Sequence, residues 1–160
     1  MRSLALLVAA AAILAAPAAS AAIEPRCYAE AAQRYGTSAE LLRAIAIVES
    51  GEEAGKVGSL AAWGEDLCAM QVHSQHLERL KEWGVTRERL LTEPCTCVAI
   101  GAWILSGEVA AVGAGWRAVA RYHTGPRFDT DLEVRRRGIA YAWKVHRALA
   151  VVQGRGGPER

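Results

Sequence analysis

Neither sign of charge dominates this sequence. Its 19 lysines and arginines stand against 17 aspartates and glutamates, a net charge of +2 that falls by one without Arg2, so the broad cationic face of a nucleic-acid binder is not expected. Strand-like alternation is absent over useful lengths, which disfavours folds built on sheets. No segment beyond the N-terminal stretch combines the length and polarity expected of a membrane span. Cysteine is sparse, four in 160 residues. Cys95-Thr96-Cys97 lacks the second close ligand pair of structural zinc, and neither a metal nor a cofactor is expected.

What is present begins with Arg2, an apolar run from Leu4 to Leu14, Pro17 and the small residues Ala18-Ala19-Ser20-Ala21-Ala22. A positive start, a short apolar core and an Ala-x-Ala pattern describe a cleaved secretory signal over residues 1–21. Residues 22–150 are then long enough for one domain with its own core, and the glycine-rich residues 151–160 read as a disordered tail. Cys27, Cys68, Cys95 and Cys97 all survive cleavage into a compartment where disulfides persist, with three complete pairings open to them.

The mature chain reads as predominantly all-α. A helix over 29–35 breaks at Gly36. The hydroxyl of Thr37 three residues before Glu40 reads as a capping box for the next helix, where Leu41, Ile45 and Val48 recur at helical spacing. Residues 51–66 leave room for a small hairpin; 67–80 has helical propensity, with irregular first turns. A helix over 98–106 ends near Gly107, another spans 116–122, and residues 131–150 form one bent helix or two abutting ones.

Glu49 falls between Leu42 and Ile45 in projection. A carboxyl half-withdrawn from water there, at the negative end of a helix, would keep its proton to higher pH, as a general acid requires. From periodicity alone, a solvated carboxylate at a fraying helix end competes with that reading. Glycan cleavage needs a proton donor and some means of managing the oxocarbenium-like centre. Glu52, Glu53, Glu65 and Asp66 are candidates for a second carboxylate, none singled out by spacing. Ser50, Gln71, Tyr122 and Tyr141 can orient sugar groups, and Met70 can supply an apolar floor.

Six blocks in order, Glu49-Ser50-Gly51, Cys68-Ala69-Met70-Gln71-Val72, 94–98 (PCTCV), 101–105 (GAWIL), 116–125 (WRAVARYHTG) and 141–145 (YAWKV), resemble the soluble lytic transglycosylase domain. The likeness covers residues 25 to 150 and is greatest to the small form that accompanies secretion, conjugation and pilus assembly. It implies a lysozyme-like fold and non-hydrolytic cleavage of the β-1,4 bond between N-acetylmuramic acid and N-acetylglucosamine. Glu49 matches the acid/base, and Ser50 the residue steadying it or the substrate. Ala69, Met70 and Gln71 match cleft-lining positions, Tyr122 the tyrosine of the family's Tyr-Asn-Ala-Gly stretch, and Tyr141 a late tyrosine whose hydroxyl approaches the acid.

The expected partners are peptidoglycan strands in the periplasm and components of an envelope machine, with the protein a monomer. A lysozyme-like hydrolase and a non-catalytic wall-binding protein are the alternatives. The chain departs from the family pattern at Cys68 (usually Gly), Ala69 (Leu), His73 (Asn), Cys97 (Asn) and His123-Thr124 (Asn-Ala). Cys95 and Cys97 are too close for an easy mutual bridge. The joint departure at Cys68 and Cys97 points to that pair, leaving Cys27 for Cys95.

Overall fold

A computed structural model describes residues 22–58 and 64–155; the signal assigned to residues 1–21 lies outside them. Among the described residues the chain forms α1 (Pro25–Tyr35), α2 (Ala39–Ser50), β1 (Asp66–Leu67), β2 (Val72–His73), α3 (Leu77–Leu80), α4 (Arg87–Thr92), α5 (Pro94–Val112), α6 (Trp116–Thr124) and α7 (Leu132–Val152). Three single 3-10 turns, Ser74–His76, Lys81–Trp83 and Gly125–Asp129, join them. The predominantly all-α expectation holds.

Helix α2 runs through the middle of the domain. Leu42, Ala44, Ile45 and Ala46 are buried in a core shared with Met70, Leu80, Leu90, Val98, Leu105 and Val145. Its N-cap is Ser38, whose Oγ accepts from the Leu41 N–H at 3.0 Å. Thr37, expected as part of the cap, instead finishes the previous helix, its N–H donating to the Ala32 carbonyl at 3.1 Å. A hydroxyl one residue later is better aimed at the free N–H groups of the first turn.

Two expected element boundaries need correction. Residues 67–80 do not open as a helix. β1 and β2 pair antiparallel, Asp66 with His73 and Leu67 with Val72, and Val57 bridges to Leu67, so the hairpin lies later than expected. Cys68 and Gln71 close its turn at φ 61° and 47°, left-handed conformations uncommon for non-glycine residues and invisible to propensity. The second correction is α5, which does not end at Gly107 but passes through it to Val112.

Helix α5, 19 residues, is long and apolar enough, by length and composition, to cross a membrane, with mean hydropathy 1.7 over an 18-residue window. The expectation of no such segment therefore fails. Its place in the fold is that of a core helix: Cys97, Val98, Ile100, Gly101, Ala102 and Leu105 are buried. Disulfides Cys27–Cys95 and Cys68–Cys97 fasten α1 and the hairpin turn to it. In the chain-entropy picture, loops of 68 and 29 residue separations contribute about 4 kcal/mol each.

Helix α7 is one continuous element, ending two residues beyond the expected domain boundary at 150. Asp131 caps it, accepting from the Glu133 and Val134 N–H groups. Gly138 lets it lie against Phe128 and the Ala120 carbonyl, 2.7 and 3.3 Å from where a Cβ would sit. Arg121, its side chain 11% exposed, is held by Glu108 and Asp129 and ties α6 to α5.

Candidate active site

Glu49 reaches the site because α2 continues one turn beyond its buried residues and then stops at Gly51, φ 70°, whose N–H closes on the Ile47 carbonyl at 2.9 Å. The carboxyl is thus held on rigid helix but turned out of the core. Its pKa rises from 4.5 to about 7. Burial is the first cause, and the charge of Asp66 adds to it. The Tyr141 hydroxyl opposes the rise. That buried hydroxyl nevertheless has no partner with full hydrogen-bond geometry among the described residues, so the two groups approach each other without a completed bond.

The other carboxylates separate by their partners. Glu52 accepts from Tyr28 and Arg43 at 3.0 Å each, Glu53 from Lys56 at 3.0 Å, and Glu65 from Nε and Nη2 of Arg87 at 2.7 and 2.9 Å. Asp66 has no ion pair among the described residues, and its charge acts on Glu49, Tyr122 and His123. It is the one of the four that faces the site. Its place at the start of β1 was not legible because the hairpin was not.

The remaining predicted residues mostly build the wall behind Glu49. The Ser50 hydroxyl lies 3.2 and 3.0 Å from the Ala46 and Ala69 carbonyls and accepts from the Glu53 N–H at 3.1 Å, fastening the hairpin turn to α2. Ala69 and Met70, expected to line the cleft, are fully buried. Met70 lies over Gly101, where a Cβ would meet its side chain at 2.5 Å, and its N–H donates to Cys97 Sγ at 3.4 Å. Gln71 folds back on its own turn, Nε2 donating to the Cys68 carbonyl at 2.9 Å. Its Oε1 occupies the space a side chain at Gly58 would need. The Tyr122 hydroxyl donates to the Met70 carbonyl at 2.7 Å. Burial and the neighbouring Glu49 and Asp66 charges hold that phenol well above its ordinary pKa.

One contact had no sequence signal beyond a departure from the family pattern. His123 stacks flat on Tyr141, ring centroids 4.4 Å apart and planes within 4°. Burial, then Lys144 and Arg137, lower its pKa, while Asp66 opposes them. His123 therefore stands between the hairpin wall and the α7 wall. An apolar concavity of about 420 Å³ between Trp116, Phe128, Ile139, Trp143 and His146 holds none of the groups around Glu49. No cluster of metal-binding side chains occurs among the described residues.

Glu49 is thus a carboxyl whose pKa is raised to about 7, with the Asp66 carboxylate and the Tyr141 phenol, neither of them with a completed partner among the described residues, beside it. The family model for the transglycosylase SLT domain matches residues 26–140. Invasion protein IagB of Salmonella typhimurium is 35% identical over 123 residues, 77% of this chain and 76% of that protein. Protein IpgF of Shigella flexneri is 32% identical over 76% of this chain and 77% of that protein. X polypeptide of Escherichia coli is 36% identical over 76% of this chain and 70% of that protein. With the family model matching well over half its length, the chain belongs to the transglycosylase SLT family.

Proposed function

We propose that this protein is a periplasmic peptidoglycan lytic transglycosylase that cleaves the N-acetylmuramic acid-β-1,4-N-acetylglucosamine bond and leaves a 1,6-anhydromuramoyl end. The observation that carries the reading is Glu49: burial sets its pKa at about 7, so it is substantially protonated at neutral pH and can also reclaim a proton. Efficient acid–base catalysts have pKa values near the working pH.

Glu49 donates its proton to the bridging oxygen as the C1–O bond breaks, and the muramoyl acetamido oxygen supports C1. The Glu49 carboxylate then takes the proton of the C6 hydroxyl. O6 bonds to C1, the acetamido oxygen leaves it, and the anhydro ring closes with no water consumed. One carboxyl performs both transfers. Asp66 contributes negative charge beside the developing cation, and the Tyr141 hydroxyl can donate to Glu49 when it is ionised. Wall-trimming for an envelope machine is the setting implied by the resemblance to the small form that accompanies secretion, conjugation and pilus assembly.

Asp66 also favours a second reading, hydrolysis, because a second carboxylate beside the acid can serve a water acceptor. Incubating the mature protein with purified peptidoglycan and weighing the released muropeptides separates the two. Anhydro ends, lost in Glu49→Gln, are expected. Products heavier by one water establish the hydrolase, and fragments from neither route establish a wall-binding protein when an active relative works in the same assay.

A further inference from the structure

Two cationic side chains, Arg137 and Lys144, and the His123 imidazole surround Tyr141 without taking part in the chemistry above. Arg137, Tyr141 and Lys144 stand at i, i+4 and i+7 on α7, one helical stripe, so a cation lies one turn to either side of the tyrosine that approaches Glu49. His123 covers the Tyr141 ring. Arg137 and Lys144 are exposed, and neither has a carboxylate partner among the described residues, whereas Arg117, Arg121, Arg127 and Arg136 are all paired. Next to the stripe, His123, Thr124, Arg127, Val134 and Arg137 enclose a concavity of about 240 Å³. The Thr124 hydroxyl is turned inward to the Ala120 carbonyl, and Arg127 is held by Asp131, which leaves the Arg137 guanidinium free to meet an anion there, with the His123 imidazole beside it as an N–H donor.

We infer that Arg137, Lys144 and His123 form a subsite for the carboxylates of the peptide stem that the muramoyl lactyl group carries. The inference rests on the peptidoglycan reading of the site. Both sugars are neutral in their rings, so the negative charge of this substrate resides in the lactyl-linked peptide. Arg137 and Lys144 are seven residues apart, about 10 Å along the helix, and an extended peptide covers that length in about three residues. A stem leaving the muramoyl ring near Tyr141 therefore reaches both cations, with the exposed edge of His123 between them. A planar guanidinium takes a carboxylate through two N–H groups, an ammonium through one point charge.

The test compares wild type with Arg137→Ala/Lys144→Ala on two substrates, intact glycan strands and strands stripped of stems by an amidase, which keep the lactyl carboxylate. On intact strands the variant is expected to raise KM about tenfold with kcat within about twofold, and Arg137→Lys should restore most of the difference. On stripped strands variant and wild type should coincide. Equal losses on both substrates would assign the cations to the lactyl carboxylate, and no loss on either would make them solvated surface; both overturn the stem subsite. Sedimentation of the two proteins with intact and stripped sacculi reads the subsite without cleavage. A wild type that binds intact sacculi better but yields no anhydro ends would sink the transglycosylase reading while leaving the subsite standing.

Discussion

The Tyr122 hydroxyl on α6 donates to the Met70 carbonyl in the hairpin turn at 2.7 Å, and this bond joins the two walls that flank Glu49. Met70 cannot shift to compensate, because its side chain fills the space over Gly101 and its N–H is committed to Cys97 Sγ. Tyr122 thus positions backbone, which a sugar-orienting role alone would not require. Tyr122→Phe leaves a buried carbonyl unpaired, a loss of about 1 to 3 kcal/mol. Urea unfolding should read that loss, with kcat falling more than KM rises as the hairpin loosens. A variant as stable as wild type would remove the positioning role.

Glu49 links activity to pH and to stability with opposite consequences. Protonated Glu49 is the acid, so kcat/KM should fall about tenfold per pH unit above a pKa of about 7. The folded-state pKa is raised, so the sign for stability is that of a carboxyl kept protonated. Below pH 4.5 the group is protonated in both folded and unfolded chains and contributes nothing. Between 4.5 and about 7 the unfolded chain releases a proton the folded one keeps, and stability declines. Above 7 the full cost is present, at most about 3 kcal/mol for this half-buried group. Glu49→Gln should therefore abolish turnover, by at least ~100-fold, and be more stable than wild type at pH 8 but not at pH 4. Paired thermal scans check it.

Cys68 has φ 61° where the family usually has glycine, and it is disulfide-bonded to Cys97. The bridge offsets a backbone conformation that costs a side chain about 1 kcal/mol. Removing the bridge as Cys68→Ala/Cys97→Ala should cost about 3 to 5 kcal/mol. Cys68→Gly/Cys97→Ala should recover about 1 kcal/mol of it, because glycine meets the left-handed turn without strain. Equal unfolding midpoints for the two double variants would show that the turn relaxes away from positive φ once the bridge is gone.

The sequence was most legible where local rules agree with the fold. Leu42, Ile45 and Glu49 share a helix face because α2 is amphipathic, and the break expected at Gly36 is the left-handed C-cap of α1. The hairpin was misplaced because its turn rests on left-handed Cys68 and Gln71 with no glycine or Asn-Gly to announce them. Gly107 misled for the opposite reason: a glycine inside a helix costs only about 1 kcal/mol, and α5 runs on past it to Val112, with Glu108 held by Arg121. Which residues face Glu49 was beyond spacing altogether. Asp66 could be told from Glu52, Glu53 and Glu65 only when Arg43, Lys56 and Arg87 were seen to occupy the other three. Tyr122 and Tyr141 were reachable through family resemblance, while the covering of Tyr141 by His123 follows from α6 and α7 packing at Gly138.

Tyr141 offers the sharpest separation of chemistry from packing. Its ring is fixed on one side by the core and on the other by His123 at 4.4 Å, so Tyr141→Phe keeps the stack and deletes only a hydroxyl that has no completed bond. Stability should hardly change, since no protein partner is left unpaired. The hydroxyl currently opposes the rise in Glu49's pKa, so its loss should move the alkaline limb of the kcat/KM profile upward. It should also lower kcat, because the ionised Glu49 left after the first transfer loses the phenol that can donate to it. Binding of peptidoglycan should stay at the wild-type level. A wild-type kcat with an unmoved pH profile would reduce Tyr141 to the ring that His123 packs on, with the hydroxyl outside proton control.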